Sequence, residues 1–131
     1  MPDQQPAILW QPDETTRRQA HLSRYMQWLG EEKKQSFPDY AALWQWSVEL
    51  PGAFWESVWQ YFSVISHSPY QTALSGLDMP GARWFEGATL NYAEHIFRME
   101  NDRQPAILFQ NERTPLTGIS WAALKRQTAA V

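Results

Sequence analysis

Three histidines, His21, His67 and His95, are the side chains best suited to move protons or hold a metal near neutral pH. A metal site would need a second histidine or a pair of carboxylates at ligand spacing on the same face, and none of the three has one. Glu94 adjoins His95, but neighbours on a helix point about 100° apart. All three read as ordinary surface or partly buried histidines, and no metal ligand is expected. The run Ser66-His67-Ser68 sets hydroxyls beside an imidazole. A nucleophilic serine also needs a facing base, an orienting acid and an oxyanion pocket, and no G-x-S-x-G elbow surrounds this run. It reads as a polar loop.

The six glycines, Gly30, Gly52, Gly76, Gly81, Gly87 and Gly118, are too dispersed to cradle a phosphate. Neither the P-loop nor the dinucleotide pattern is present. Lys125 and Arg126 could meet a phosphate, but two adjacent basic residues on an amphipathic helix usually form its wet face. No catalytic and no cofactor-binding residue is therefore expected in this chain.

The unusual feature is eight tryptophans in 131 residues, within an aromatic fraction of 15%. Each buries a large area yet carries an N–H that wants a partner, so this density means an aromatic core or a surface built for contact. Phe54, Val58 and Phe62 recur at helical spacing beside Trp55 and Trp59, as do Leu43 and Trp44. Trp44, Phe54, Trp55 and Trp59 are accordingly expected to pack in a core or a domain interface. The rival reading is a stand-alone carbohydrate- or peptide-binding module, which would need the rings in a solvent-facing row.

Composition narrows the classes further. An apolar content of 44% supports one domain, and a net charge of -3 gives no general attraction to nucleic acid or anionic lipid. There are no cysteines, which removes disulfides, thiolate zinc sites and a cysteine nucleophile. The start "MPDQQPAILWQPDE" has acids and prolines where a signal peptide needs a basic start and an apolar run. No apolar run reaches the roughly 18 residues of a membrane span, so a cytoplasmic location is expected.

The elements that would carry these residues are short. Residues 2 to 12, with three prolines, are expected to be extended. Asp13 caps a helix in which Leu22, Tyr25, Met26 and Leu29 share a face and Gly30 is the stop. The charged "EEKKQ" beyond it reads as a solvated turn. Ser36 and Asp39 have capping-box spacing for a helix from about 37 to 48, with Tyr40, Leu43, Trp44 and Ser47 on one face. Pro51 suits the first turn of the next helix, and the two form a hairpin. From Ser63 to Ala88 no period persists, so an irregular connector is expected. Asn91 and Glu94 signal another helix, with Tyr92, Ile96 and Met99 on one face up to Asn101. "PAILFQN" and "PLTGISW" read as two strands around a turn at Glu112 to Pro115. Ser120 then caps a helix that reaches Val131 without a stop signal, and the expectation is a piece of a longer protein.

Two of these stretches resemble a known family. "FPDYAALWQWSVELPGAFWESVWQYF" is similar to the F-x-x-Y-x-x-L-x-x-W-S-V run, followed by F-W and a further Trp, that opens acyl-CoA synthetases of the acetyl-CoA and acetoacetyl-CoA synthetase group. "MPGARWFEGATLNYAEHIF" resembles the W-F-x-G-x-x-L-N segment that follows it. The likeness runs from about Ile8 onward, and Asn-Tyr-Ala-Glu at 91 to 94, with the "ILWQP" start, is closer to the acetoacetate enzymes. The resemblance implies an α+β, mainly helical chain, with a helical N-terminal extension over 1–104 followed by a short β-hairpin and the start of a helix from an incomplete adenylate-forming domain over 105–131. It implies ATP, magnesium and CoA for the full-length family, whose phosphate loop, nucleotide pocket and catalytic lysine all lie downstream. The expected partner is the missing adenylation domain of the same polypeptide, with self-association as a second expectation. "ARWFEGATLNYAEHIF" becomes a joint between the two parts, with Trp84 and Phe85 as packing anchors, Gly87 easing the turn and Asn91 starting the next helix.

Overall fold

Asp13 begins the ordered helices: its carboxylate accepts the Thr16 N–H at 2.7 Å, and this bond holds the carboxyl below its ordinary range. The computed structural model describes residues 9–130 and divides into two units, Met1–Phe62 and Ser63–Val131. Residues 2 to 8 of the expected extended stretch lie outside the described residues. Residues 9 to 12 have no regular secondary structure, as expected.

In the first unit the helix begun by Asp13 is two helices, α1 (Glu14–Gln19) and α2 (His21–Glu32). The chain turns at Ala20, whose ψ of 141° is extended, and the Arg17 carbonyl accepts both the Ala20 N–H at 3.2 Å and the Ser23 hydroxyl at 2.6 Å. Gly30 is not the stop. It lies inside α2 where the returning chain comes close, since a Cβ there would sit 3.1 Å from Ser36 Oγ. Lys34 makes the turn instead, at a φ of 56°, while the Leu29 carbonyl accepts from both Lys33 and Gln35 N–H groups at 3.0 Å.

Helix α3 (Tyr40–Glu49) starts later than the spacing of Ser36 and Asp39 suggests. Asp39 itself is the cap, accepting from Ala42 N–H at 2.9 Å. Its buried residues are Leu43 and Trp46, whereas Tyr40 and Trp44 face solvent. A helix apolar on nearly every side gives its period no power to choose the inward face. Helix α4 (Pro51–Tyr61) follows through Leu50, which ends one helix and begins the other, with Pro51 at a position whose missing N–H costs nothing. The α3–α4 hairpin is the expected one.

The core of this unit is Tyr25, Leu29, Leu43 and Trp46, with Met26, Trp28, Phe37, Phe54, Val58 and Tyr61 packed against it. Its rings meet mainly edge to face, Tyr25 with Tyr61 at 5.1 Å and Trp46 with Phe54 at 5.8 Å, the arrangement that the ring quadrupoles favour. The one polar pair inside satisfies itself. Tyr25 and Ser57 hydroxyls are 2.5 Å apart, and Ser57 donates to the Phe54 carbonyl, so Ser57 accepts the phenol's proton. Burial pushes the Tyr25 phenol up, the Ser57 bond opposing this.

The second unit holds β1 (Thr72–Ser75) and β2 (Arg83–Glu86), antiparallel with Leu74 opposite Trp84, inside the stretch expected to be irregular. Two four-residue strands are too short to show alternation, and Gly76, Pro80 and Gly81 between them mask the pairing. Helix α5 (Tyr92–Phe97) stops before Asn101, which forms its own turn by accepting from Arg103 and Gln104 N–H groups at 3.1 Å. Strands β3 (Ile107–Phe109) and β4 (Thr117–Ile119) form the expected hairpin, turned by Asn111. Helix α6 (Trp121–Ala129) is capped by Ser120 as expected. The fold class is α+β and mainly helical, with two small hairpins rather than one. Among the described residues no helix is long and apolar enough to cross a membrane.

Leu29 is fully enclosed. Leu29→Ala is expected to destabilise the chain by about 2–5 kcal/mol through lost contacts and a residual cavity. Urea unfolding followed by circular dichroism checks this, and a loss below about 1 kcal/mol would contradict the packing described.

Candidate functional site

In the second unit, side chains from residues 63 to 95 are tied together by hydrogen bonds. The strap of residues 63 to 71 runs beside 86 to 95. His67 N–H donates to the Thr89 carbonyl at 2.7 Å, Gln71 N–H to the Glu86 carbonyl at 2.8 Å, and Ser68 bridges Thr89. Ser68 Oγ donates its single hydrogen to the Gly87 carbonyl at 2.7 Å and so accepts from the Thr89 hydroxyl at 2.8 Å. Ser66 Oγ donates to the Ser68 carbonyl.

Helix α5 closes the other side. Asn91 caps it by accepting from Ala93 and Glu94 N–H groups. Glu94 does not return to Asn91 as a capping box would; its carboxylate meets His67 Nε2 at 2.7 Å. Both side chains are about half exposed, so this pair adds little stability and mainly fixes geometry. His95 Nδ1 accepts the Ile65 N–H at 3.3 Å, which assigns the neutral ring's proton to Nε2.

Beneath the strap the turn "WFEG" ends β2 with two left-handed residues, Phe85 at a φ of 49° and Gly87 at 91°. Phe85 bears a side chain in a conformation that disfavours one, and its ring is held edge-on to Tyr70 at 5.3 Å. Gly87 passes 3.5 Å from the Pro69 carbonyl, measured from where a Cβ would stand. Glu86 uses both oxygens, accepting from Arg83 Nη1 at 2.7 Å and from Ser75 Oγ at 2.8 Å. The Arg83 bond first, and then that of Ser75, hold its carboxyl below the ordinary range.

This arrangement can brace a turn, but it sets up no nucleophile. The Ser66 and Ser68 hydroxyls bond carbonyls and each other's neighbours, while His67 Nε2 faces Glu94. Among the described residues no group of three or more His, Cys, Asp or Glu side chains could hold a metal ion. Lys125 pairs with Glu100 at 2.9 Å on an exposed face.

Residues 40–96 match the family model described as "Acetyl-coenzyme A synthetase N-terminus". The chain is 34% identical over 117 residues to the acetoacetyl-coenzyme A synthetase of Rhizobium meliloti (strain 1021), covering 89% of this chain and 18% of that protein. It is 27% identical over 127 residues to the acetoacetyl-CoA synthetase of Rattus norvegicus, again covering 18% of the relative. The solved structure of acetoacetyl-CoA synthetase from Streptomyces lividans superposes with a TM-score of 0.82 at 41% identity, over 95% of this chain and 20% of that one. The chain is thus similar over most of its length to the N-terminal part of acetoacetyl-CoA synthetases, and it spans about a fifth of the length of these relatives.

Every residue singled out for packing falls inside the acetyl-CoA synthetase match, and the fold distributes them between the two units. Trp44, on α3, and Trp55, on α4, are about half exposed. Phe54 is the centre of a ring cluster, edge-on to Tyr25, Trp46 and Trp55. Trp59 is partly buried on α4. Trp84 and Phe85 lie on β2, Gly87 follows it and Asn91 caps α5. Sequence reasoning missed Arg83, Glu86 and Thr89, and it read Ser66-His67-Ser68 only as a polar loop. Hydrogen bonds between short polar side chains some twenty positions apart leave no periodic trace, and only the left-handed Gly87 signals the turn they brace.

The Glu86 clamp gives a signed pH dependence. A carboxyl depressed by folding adds stability above its unfolded pKa and loses it as the pH falls through the lowered folded value. Thermal melts should show Glu86→Gln costing stability at neutral pH and little below the carboxylate range. Equal costs at both pH values would contradict the clamp.

Proposed function

We propose that this chain is the N-terminal part of an ATP-dependent acyl-CoA ligase of the acetoacetyl-CoA synthetase kind, and that its own role is structural. The observation that supports this most is the 41% identity and 0.82 TM-score to the Streptomyces lividans synthetase across 95% of the chain, against only 20% of that protein. In the proposed parent reaction an acetoacetate oxygen attacks the α-phosphorus of Mg-ATP and pyrophosphate leaves. The CoA thiolate then attacks the acyl carbon and AMP leaves, giving the thioester. Adenylation is needed because a free carboxylate has no good leaving group, and magnesium offsets charge on the phosphates.

The residues described here do not fit those groups. The glycines are scattered, the hydroxyls of the joint are engaged by backbone and by one another, and Arg83 is bonded to Glu86. No step of the reaction is therefore assigned to them. Residues 1–104 would be the helical N-terminal extension and 105–131 the first hairpin and helix of the adenylation domain. That boundary is one of family descent and differs from the packing division after Phe62. The remainder of the same polypeptide would be the principal partner, supplying the ATP, magnesium and CoA sites.

Incubation of the chain with ATP, magnesium, CoA and acetoacetate is expected to give no acetoacetyl-CoA above a protein-free control. Turnover detected as thioester or as AMP release would overturn the structural role.

A further inference from the structure

Every second residue at the start of the strap is fastened to α5 or to its C-cap. The Ser63 carbonyl accepts from Arg98 Nη1 at 2.7 Å, the Ile65 N–H donates to His95 Nδ1 at 3.3 Å, and His67 Nε2 meets the Glu94 carboxylate at 2.7 Å. Glu94 and His95 are neighbours on the helix, so their side chains leave it about 100° apart. The strap therefore bends around α5 to reach both, and one contact can open while the other stays closed.

The two imidazoles make opposite demands on the proton. His95 Nδ1 accepts an N–H only while it carries no hydrogen; with a proton there, two N–H groups face each other and the bond is lost. His67 donates through Nε2 in either state, and its bond to Glu94 becomes charge-assisted once the ring is an imidazolium. We propose that these adjacent contacts form a proton-operated latch. With both rings neutral, α5 holds the strap at Ile65 and at His67. With both rings charged, it releases Ile65 and holds His67 more tightly.

The surroundings leave this exchange to the two rings. They are the only histidines of residues 63–131, whereas carboxylates ordinarily titrate well below the imidazole range and lysine and arginine well above it. The charged groups on the elements around His95 have partners of their own. Glu94 holds His67, Arg98 holds the Ser63 carbonyl, Lys125 on α6 pairs with Glu100, and Arg83 on β2 pairs with Glu86. Among the described residues the His95 ring has no hydrogen bond besides the one from Ile65, so its hold on the strap depends on that bond. The latch lies wholly within the second unit and takes no part in the reaction proposed above.

Residue-resolved hydrogen exchange of the chain at about pH 7.5 and about pH 5.5, on either side of the ordinary imidazole pKa, tests the latch. Each rate is divided by that of an unstructured chain at the same pH, which leaves protection alone to be compared. The Ile65 amide should lose about two- to tenfold in protection at the lower pH, the worth of one ordinary hydrogen bond. The His67 and Gln71 amides, bonded to the Thr89 and Glu86 carbonyls, should keep theirs. His95→Asn sets a carbonyl oxygen that does not titrate near the place of Nδ1, and should hold the Ile65 amide equally at both pH values. In Glu94→Gln the His67 contact gains no charge assistance, and the His67 amide should lose protection at the lower pH along with Ile65. Ile65 protection unchanged between the two pH values in the unsubstituted chain overturns the latch, whether or not the variants fold. So does a loss shared equally by Ile65, His67 and Gln71 in that chain, or a loss of the same size at Ile65 in folded His95→Asn. A His67 amide as protected in folded Glu94→Gln as in the unsubstituted chain at the lower pH overturns the exchange from Ile65 to His67.

Discussion

Leu29 is withdrawn completely from solvent, and the first unit is organised around it. Tyr25 lies one turn earlier on the same face of α2, Leu43 and Trp46 reach in from α3, and Phe54, Val58 and Tyr61 close the cluster from α4. Four short helices have little intrinsic stability, so their shape depends on that contact being made. The cluster also explains the polar pair within it: a phenol inside an aromatic core needs an acceptor, and Ser57 on α4 supplies one. The same small core limits what else can be enclosed. With Leu43 and Trp46 committed inward, Tyr40, Trp44 and Val48 on α3 are left in water.

The second unit solves a different problem. Its hairpins are too small to hold themselves, and the strap of residues 63 to 71 is tied to the turn "WFEG" and to α5 by hydroxyls, imidazoles and carbonyls. That bracing keeps Phe85 in a backbone conformation that costs a side-chain-bearing residue about 1–2 kcal/mol. Polar side chains that resemble catalytic components in sequence thus act here as fasteners. The family match covers this region, including the whole of β1 and β2.

Caps and turns were the most legible parts of the sequence. Asp13, Asn91 and Ser120 cap helices as expected, because one short side chain satisfying an orphan N–H is a local event, whereas the cap expected of Ser36 falls to Asp39. Pro51 and the strands around Asn111 were legible for the same reason. What sequence could not show depends on distant partners. Gly30 looked like a stop, but it accommodates Ser36; Trp44 and Trp46 are equally apolar, and only the position of α2 and α4 decides which turns inward. The hairpin of "TALS" and "RWFE" was hidden by its brevity. The family resemblance carried the proposed function, since the packing residues by themselves specify no reaction.

The central claim is that this is a packing piece whose apolar faces are completed by more protein. It is tested most directly by sedimentation velocity over a range of concentrations, with a hydrophobic dye as a second readout on the same samples. The account predicts concentration-dependent association and strong dye fluorescence from a chain that retains its helical circular dichroism. A folded monomer that stays monomeric at every concentration and leaves the dye dark would contradict it.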